Sequence, residues 1–154
     1  MGYLDIISLE QAKNYLKIDD GQTETDQEIT RMIKGAFSYI EKITNHIMYA
    51  RDKVYDVDNC LQMSLVYVYD FPINSIPDNA TQSKKASYST IYTTDDTITL
   101  NIGYHDPTDI PQELIEAAYQ IIKVWFYESE KQSNSTLIPI SVEDAISSNK
   151  RFII

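Results

Sequence analysis

Between Pro111 and Glu128 the chain carries an amphipathic stretch whose apolar side is wider than one packing stripe requires. At the helical period, Gln112, Glu113, Glu116, Gln120 and Lys123 fall within an arc of about 100°. Almost everything else is apolar: Leu114, Ile115, Ala117, Ala118, Tyr119, Ile121, Ile122, Val124, Trp125 and Phe126. The start is marked by Pro107 and Pro111, which bracket Thr108-Asp109-Ile110, with Thr108 or Asp109 placed to cap and Pro111 in the first turn. Such a helix spans about 27 Å at 1.5 Å per residue. Two arrangements cover so much apolar surface. The helix lies at the centre of its own subunit, or one side meets its own fold and the other a neighbouring subunit. Helix-packing arguments leave both open.

The rest of the chain supplies little to wrap it. Residues 8–18 predict a short helix, with Ser8 and Gln11 in capping-box positions and Asp19-Asp20-Gly21 as the stop. A longer helix follows from Asp26 to His46, where Ile29, Met32, Ile33, Ala36, Phe37, Ile40, Ile43 and Ile47 share an arc of about 140°. Gly35 lies outside that arc, costs about 1 kcal/mol relative to Ala, and is a candidate for a close helix contact. Residues 51–69 and 86–104 alternate with period two and are rich in Tyr, Val, Ile and Thr, so they predict strands. Leu61, Met63, Leu65, Tyr67 and Tyr69 share one face, and Ile98, Leu100, Ile102 and Tyr104 another. Thr94-Asp95-Asp96 reads as the turn of a hairpin joining 88–93 to 97–104. Residues 72–85, with two prolines and many polar side chains, read as a mobile loop. A polar linker at 129–136 precedes a short helix over 141–150, capped by Ser141, and the sequence closes on an apolar tip.

The fold class expected from this order is α+β and mainly helical, a bundle of about four helices with an inserted antiparallel β-hairpin region. It is expected to form one domain over 1–154, helical in 1–50 and 105–150, with the β insert at 51–104 and a tail at 148–154. A chain of 154 residues suits one compact domain. No apolar run reaches the 18 residues a membrane helix needs, and the start at Met1-Gly2-Tyr3-Leu4-Asp5 has no basic flank of a secretory signal. With 13 basic and 23 acidic residues the formal charge is −10, spread as −3, −5 and −2 over residues 1–50, 51–110 and 111–154. That argues against broad electrostatic binding of nucleic acid.

Motifs for chemistry are weak. His46, His105 and the single Cys60 do not fall at metal-ligand spacing, and Asp56-Val57-Asp58 and Asp19-Asp20-Gly21 lack the rest of a calcium loop. Nothing basic surrounds Cys60 to activate a thiolate, so it reads as a strand cysteine. Glu113 and Glu116 belong to the solvated stripe of their helix, and the isolated glycines form no phosphate loop. A structural or binding role without catalysis, metal or cofactor is the expectation.

Several stretches taken in order are more specific. Ile6-Ile7-Ser8-Leu9-Glu10-Gln11-Ala12-Lys13 with Leu16-Lys17-Ile18-Asp19 is followed by the helix reaching Tyr39-Ile40-Glu41-Lys42-Ile43-Thr44. Then come Phe71-Pro72-Ile73-Asn74-Ser75-Ile76, Ile102-Gly103-Tyr104, Ile110-Pro111-Gln112-Glu113-Leu114 through Trp125-Phe126-Tyr127-Glu128, and Pro139-Ile140-Ser141-Val142. This order resembles the head–tail connector family of tailed bacteriophages, with a strand region at 51–104 longer than in compact relatives. The resemblance implies a helical bundle decorated by β-hairpins that assembles into an adaptor ring, twelve-fold in such virions, at the neck. The ring would dock on the portal, offer its far face to a stopper or tail protein, and let genomic DNA pass through its lumen without specific binding.

On that reading, Tyr119, Trp125 and Phe126 are candidates for the subunit interface. Arg151, Phe152, Ile153 and Ile154 are candidates for portal docking, and Pro72, Ile76 and Pro77 for a tail-side contact. The acidic balance would line the lumen and keep it slippery to phosphates. Three alternatives compete: another neck ring such as a stopper; a nucleic-acid-associated helical regulator using Lys84-Lys85, Arg51 and Lys53; and a hydrolase with an unrecognised site.

Overall fold

A computed structural model describes residues 2–60, 63–129 and 140–149. The helical part opens with a single turn, α1 (Tyr3–Ile6), and α2 (Leu9–Leu16). The capping box forms as expected: the Gln11 N–H donates to Ser8 Oγ at 3.1 Å and the Ser8 N–H to Gln11 Oε1 at 2.8 Å. Lys17, in the left-handed region at φ 60°, ends α2. The acidic turn that follows is held by Lys13, only 4% exposed. Its ammonium donates to the carbonyls of Asp20 (3.1 Å) and Gln22 (2.7 Å) and to Asp26 Oδ1 (2.9 Å), so three oxygens offset its burial. Helix α3 (Asp26–Thr44) stops at Asn45, again left-handed at φ 59°.

Across α3, Ile29, Ile33, Ala36, Phe37 and Ile40 are buried, the face expected from their spacing. They meet Leu114, Ala117, Ala118, Ile121, Ile122 and Phe126 of α4 (Gln112–Ser129). The last helix, α5 (Ile140–Asn149), adds the buried Val142. It starts at Ile140, so Ser141 lies inside its first turn. The residues before α4 also differ in detail. Asp106, with its carboxylate accepting from the Thr108 N–H at 2.8 Å, caps a separate 3-10 turn at Pro107–Asp109, and α4 begins just after Pro111. The wide apolar side of α4 is largely taken up inside the subunit, by α3 beneath and by α2 and α5 on its flanks. Ile115, Tyr119 and Trp125 remain half-buried at its margins. Gly35 is where Trp125 fits: a Cβ there would stand 3.0 Å from a Trp125 ring carbon.

The strand region overturns the expected fold class. The molecule is not a mainly helical bundle with a hairpin insert. Seven strands form two antiparallel sheets among the described residues: β1 (Arg51–Asp56), β2 (Asp58–Cys60), β3 (Met63–Val68), β4 (Ile73–Ser75), β5 (Thr81–Lys84), β6 (Ser89–Tyr92) and β7 (Thr97–Ile102). One sheet has the order β1-β7-β4 and the other β2-β3-β6-β5. They enclose a second core of Ile47, Val57, Val66, Val68, Ile91, Ile98, Leu100 and Ile102, separate from the helical one. The period-two pattern therefore marks buried faces on several strands of two sheets, enough apolar area for a core of its own.

Two local expectations fail with it. Residues 93–96 do not close a hairpin, because β6 pairs with β3 and β5 while β7 pairs with β1 and β4. The chain there crosses between sheets, just as β1 crosses into β2 at Val57, whose N–H bonds the Asp96 carbonyl at 2.9 Å. A local turn signal says nothing about such long-range pairing. Residues 72–85 are also no loop; they hold β4 and β5. Both are short edge strands, and edges tolerate flanking prolines and polar side chains that make a segment read as a turn. Leu65 and Tyr67 do share a face, but the buried one is the other, bearing Val66 and Val68, while Tyr67 is 51% exposed. Cys60 ends β2; its side chain lies outside the described residues.

Candidate assembly surfaces

The two cores are joined at the end of α3, where Glu41 is buried. Its Oε1 accepts from the Met48 N–H (2.8 Å) and Arg51 Nη1 (3.3 Å); its Oε2 accepts from the Tyr3 hydroxyl and from Arg51 Nη2, both at 2.9 Å. One carboxylate thus ties α1, α3, the connecting segment and β1 together. Burial, reinforced by the Glu41 charge and hydrogen bond, pushes the Tyr3 phenol up to about 12. A second tie sits beside it: His46 Nδ1 lies 2.7 Å from the Tyr104 hydroxyl, and Phe71 stands edge-on to His46 at 5.2 Å. The Phe71 N–H donates to the Asn45 carbonyl, and its carbonyl accepts from the Ile47 N–H, each at 2.8 Å. Gly103, at φ 102°, completes the join, because a Cβ there would run into the Tyr49 carbonyl. Lower on the first sheet, Asp70 Oδ2 accepts from Lys53 (2.6 Å) and Tyr55 (2.5 Å); burial, then this bond, raises the Tyr55 pKa. These groups are satisfied by one another and serve to fix the sheets against the helices.

Among the described residues no group of three His, Cys, Asp or Glu side chains converges on a metal position. A cavity of about 280 Å³ opens between Phe71-Pro72-Ile73 and Gln82, Lys84, Lys85 and Ser89. Its lining offers no pair of acid and base.

The expected interface residues fall on α4 in two ways. Tyr119 and Trp125 reach the surface, half-buried, whereas Phe126 is buried in the helical core beneath them. Tyr119 packs on Tyr15 with centroids 4.8 Å apart, and Lys123 lies 5.9 Å over the Tyr15 ring. Pro72, Ile76 and Pro77 are half-buried in the strand region, with Ile76 against the sheet core and the Pro72 carbonyl accepting from the Gly103 N–H at 2.8 Å. That segment is fastened rather than free. Arg151, Phe152, Ile153 and Ile154 lie outside the described residues, as does most of the expected 129–136 linker.

Sequence reasoning missed the exposed side of the sheets. Asp52, Val54 and Asp56 alternate along β1 and share one face, opposite Asn101, Thr99 and Thr97, and the exposed Asp58 follows in β2, opposite Leu65. Val54, 62% exposed, is framed by these acids. The outer face of the second sheet is aromatic: Tyr67 and Tyr69 both contact Tyr88, at 5.6 and 5.8 Å, and Tyr92 sits opposite Leu65. Past it, β5 ends at Lys84 and is followed by Lys85, both exposed and neither in an ion pair among the described residues. The parity of 52, 54 and 56 was readable in the sequence. Which strands are edges was not.

No family model matches the sequence, and no curated protein matches it. Solved structures do resemble the fold. A chain in the neck of an empty GTA particle computed with C6 symmetry superposes with a TM-score of 0.74 at 11% identity, covering 97% of this chain and 91% of that one. A chain of the virion of a native gene transfer agent (GTA) particle gives 0.69 at 11% identity over 97% and 91%. One in the neck of a native GTA particle computed with C12 symmetry gives 0.69 at 11% identity over 95% and 89%. The shared property at this identity is the fold, over nearly its whole length.

Proposed function

We propose that this chain is a structural subunit of the neck of a tailed, phage-like particle, an adaptor that forms a ring beneath the portal and surrounds the DNA passage. The observation that carries the reading is the two-core fold, matched along 97% of the chain by a chain from the neck of a GTA particle. Sequence order supports it independently, since the connector-like stretches around Ile6–Asp19, Phe71–Ile76 and Ile110–Glu128 span both cores. So does the charge of −10, which repels DNA phosphates and lets DNA slide through a lumen.

Within the ring, Tyr119 and Trp125, supported from below by Phe126, form part of the contact between copies. The segment Arg151–Ile154 docks on the portal, and the Pro72–Pro77 corner faces the stopper or tail. Gold-labelled antibody against the protein on purified particles tests the reading. Label at the junction of head and tail is expected. Label on the shell or the tail tip refutes it, and label on the tail side of the neck with the portal-facing ring unlabelled would make the chain a stopper. A salt titration separates the nucleic-acid regulator: the adaptor shows little affinity for duplex DNA even at low salt, whereas a regulator binds there and weakens steeply as salt rises.

A further inference from the structure

Both sheets end in open edges. In the order β2-β3-β6-β5, β5 pairs with β6 alone and β2 with β3 alone; in β1-β7-β4, β1 pairs with β7 alone. β1 and β2 follow one another along the chain, each an edge strand of its own sheet, with the buried Val57 crossing between them. These two strands carry Asp52, Asp56 and Asp58, with the exposed Val54 among them. The edge strand β5 ends at Lys84 and is followed by Lys85, two of the four basic residues between 51 and 110. The other two are engaged, Arg51 with Glu41 and Lys53 with Asp70. Among the described residues, the positive charges of the strand region outside these ion pairs are thus gathered at the end of one free edge strand, and three acids lie along the edge strands β1 and β2.

We propose that these two edges are the two halves of a head-to-tail contact between neighbouring copies of this chain, the Lys84-Lys85 edge of one subunit seated against the Asp52-Asp56-Asp58 edge of the next. This rests on the ring reading above and names the surface that closes the ring. A ring needs a heterologous contact, two different and complementary patches on each subunit, and opposite charges at the two sides of one domain meet that requirement. Open strand edges invite pairing with another chain unless covered. A neighbour on β5 would also cover the outer face beside it, where Tyr67, Tyr69 and Tyr88 expose rings of the kind enriched at interfaces. Each edge alone repels its own kind, which keeps two subunits from joining like edge to like.

The test uses two full-length variants, K84E/K85E and D56K/D58K, with portal rings of the same particle present and absent, followed by negative-stain electron microscopy and analytical ultracentrifugation. All four positions are exposed, and circular dichroism checks that both variants fold. The wild type assembles; each variant alone loses assembly at least tenfold; and an equal mixture restores rings, because the now acidic β5 edge of one fits the now basic β1–β2 edge of the other. Rings from either variant alone, or a mixture that stays unassembled, overturn the edge contact and leave the ring reading intact. A wild type that forms no ring under either condition overturns both.

Discussion

Replacing Glu41 by Ala would separate the two cores energetically, and the size of the effect follows from its partners. The Met48 N–H would be left buried without an acceptor, at a cost of about 1–3 kcal/mol. The Tyr3 hydroxyl loses a charged acceptor, worth about 1 kcal/mol after allowing for partial access to water. Arg51 keeps a 32% exposed side chain, so its share is screened and adds less than about 1 kcal/mol. The sum is about 3 kcal/mol, at the lower end of what removing one partner of a buried pair costs. For a domain of this size that lowers Tm by about 6–12 °C. Urea unfolding is the assay, read by the single tryptophan, Trp125 in α4, and separately by circular dichroism. Glu41→Gln should cost roughly half as much, since its amide oxygen still accepts from Met48. A loss below 1 kcal/mol for Glu41→Ala would refute the idea that this carboxylate couples sheets to helices.

Two further outcomes are expected. Gly35→Ala should destabilise the wild type, because Trp125 already stands 3.0 Å from the Cβ position, yet stabilise a Trp125→Ala background by up to about 1 kcal/mol through helix propensity; equal effects in both backgrounds in a double-mutant cycle would contradict the packing. At alkaline pH the Tyr3 phenol, held at about 12 when folded against 10.0 unfolded, contributes stability in full below pH 10 that is lost as pH rises towards 12. Tyr3→Phe should flatten that limb of a urea-midpoint profile between pH 8 and 11.5 without abolishing it, since the Tyr55 pKa is raised as well.

The helices were legible because their signals are local. Ser8 and Gln11 cap α2 and the Ile29-to-Ile40 face is buried, both readable from spacing and side-chain type, whereas the contact at Gly35 is shown only by the packing of Trp125. The strands over 51–69 and 86–104 were legible as strands, but their arrangement into sheets was not, because it depends on pairings between distant residues. Thr94-Asp95-Asp96 has the residues of a tight turn, and only the pairing of β6 with β3 and β7 with β1 shows that the chain crosses between sheets there. Thr81-Gln82-Ser83-Lys84 reads as part of a loop because an edge strand needs little burial. The wide wheel of α4 was seen, but its cover came from three sides of its own subunit, which shifts weight from Phe126 to the half-buried Tyr119 and Trp125. The exposed edges now proposed for assembly follow from the same long-range pairing and were invisible for the same reason.

The most direct test of the account is cryo-electron microscopy of the purified protein added to portal rings of its own particle. The account predicts a second ring stacked on the portal along a shared axis, one copy per asymmetric unit, with the strand edges of adjacent copies in contact. Portal rings that remain bare while the protein stays monomeric in solution would contradict it.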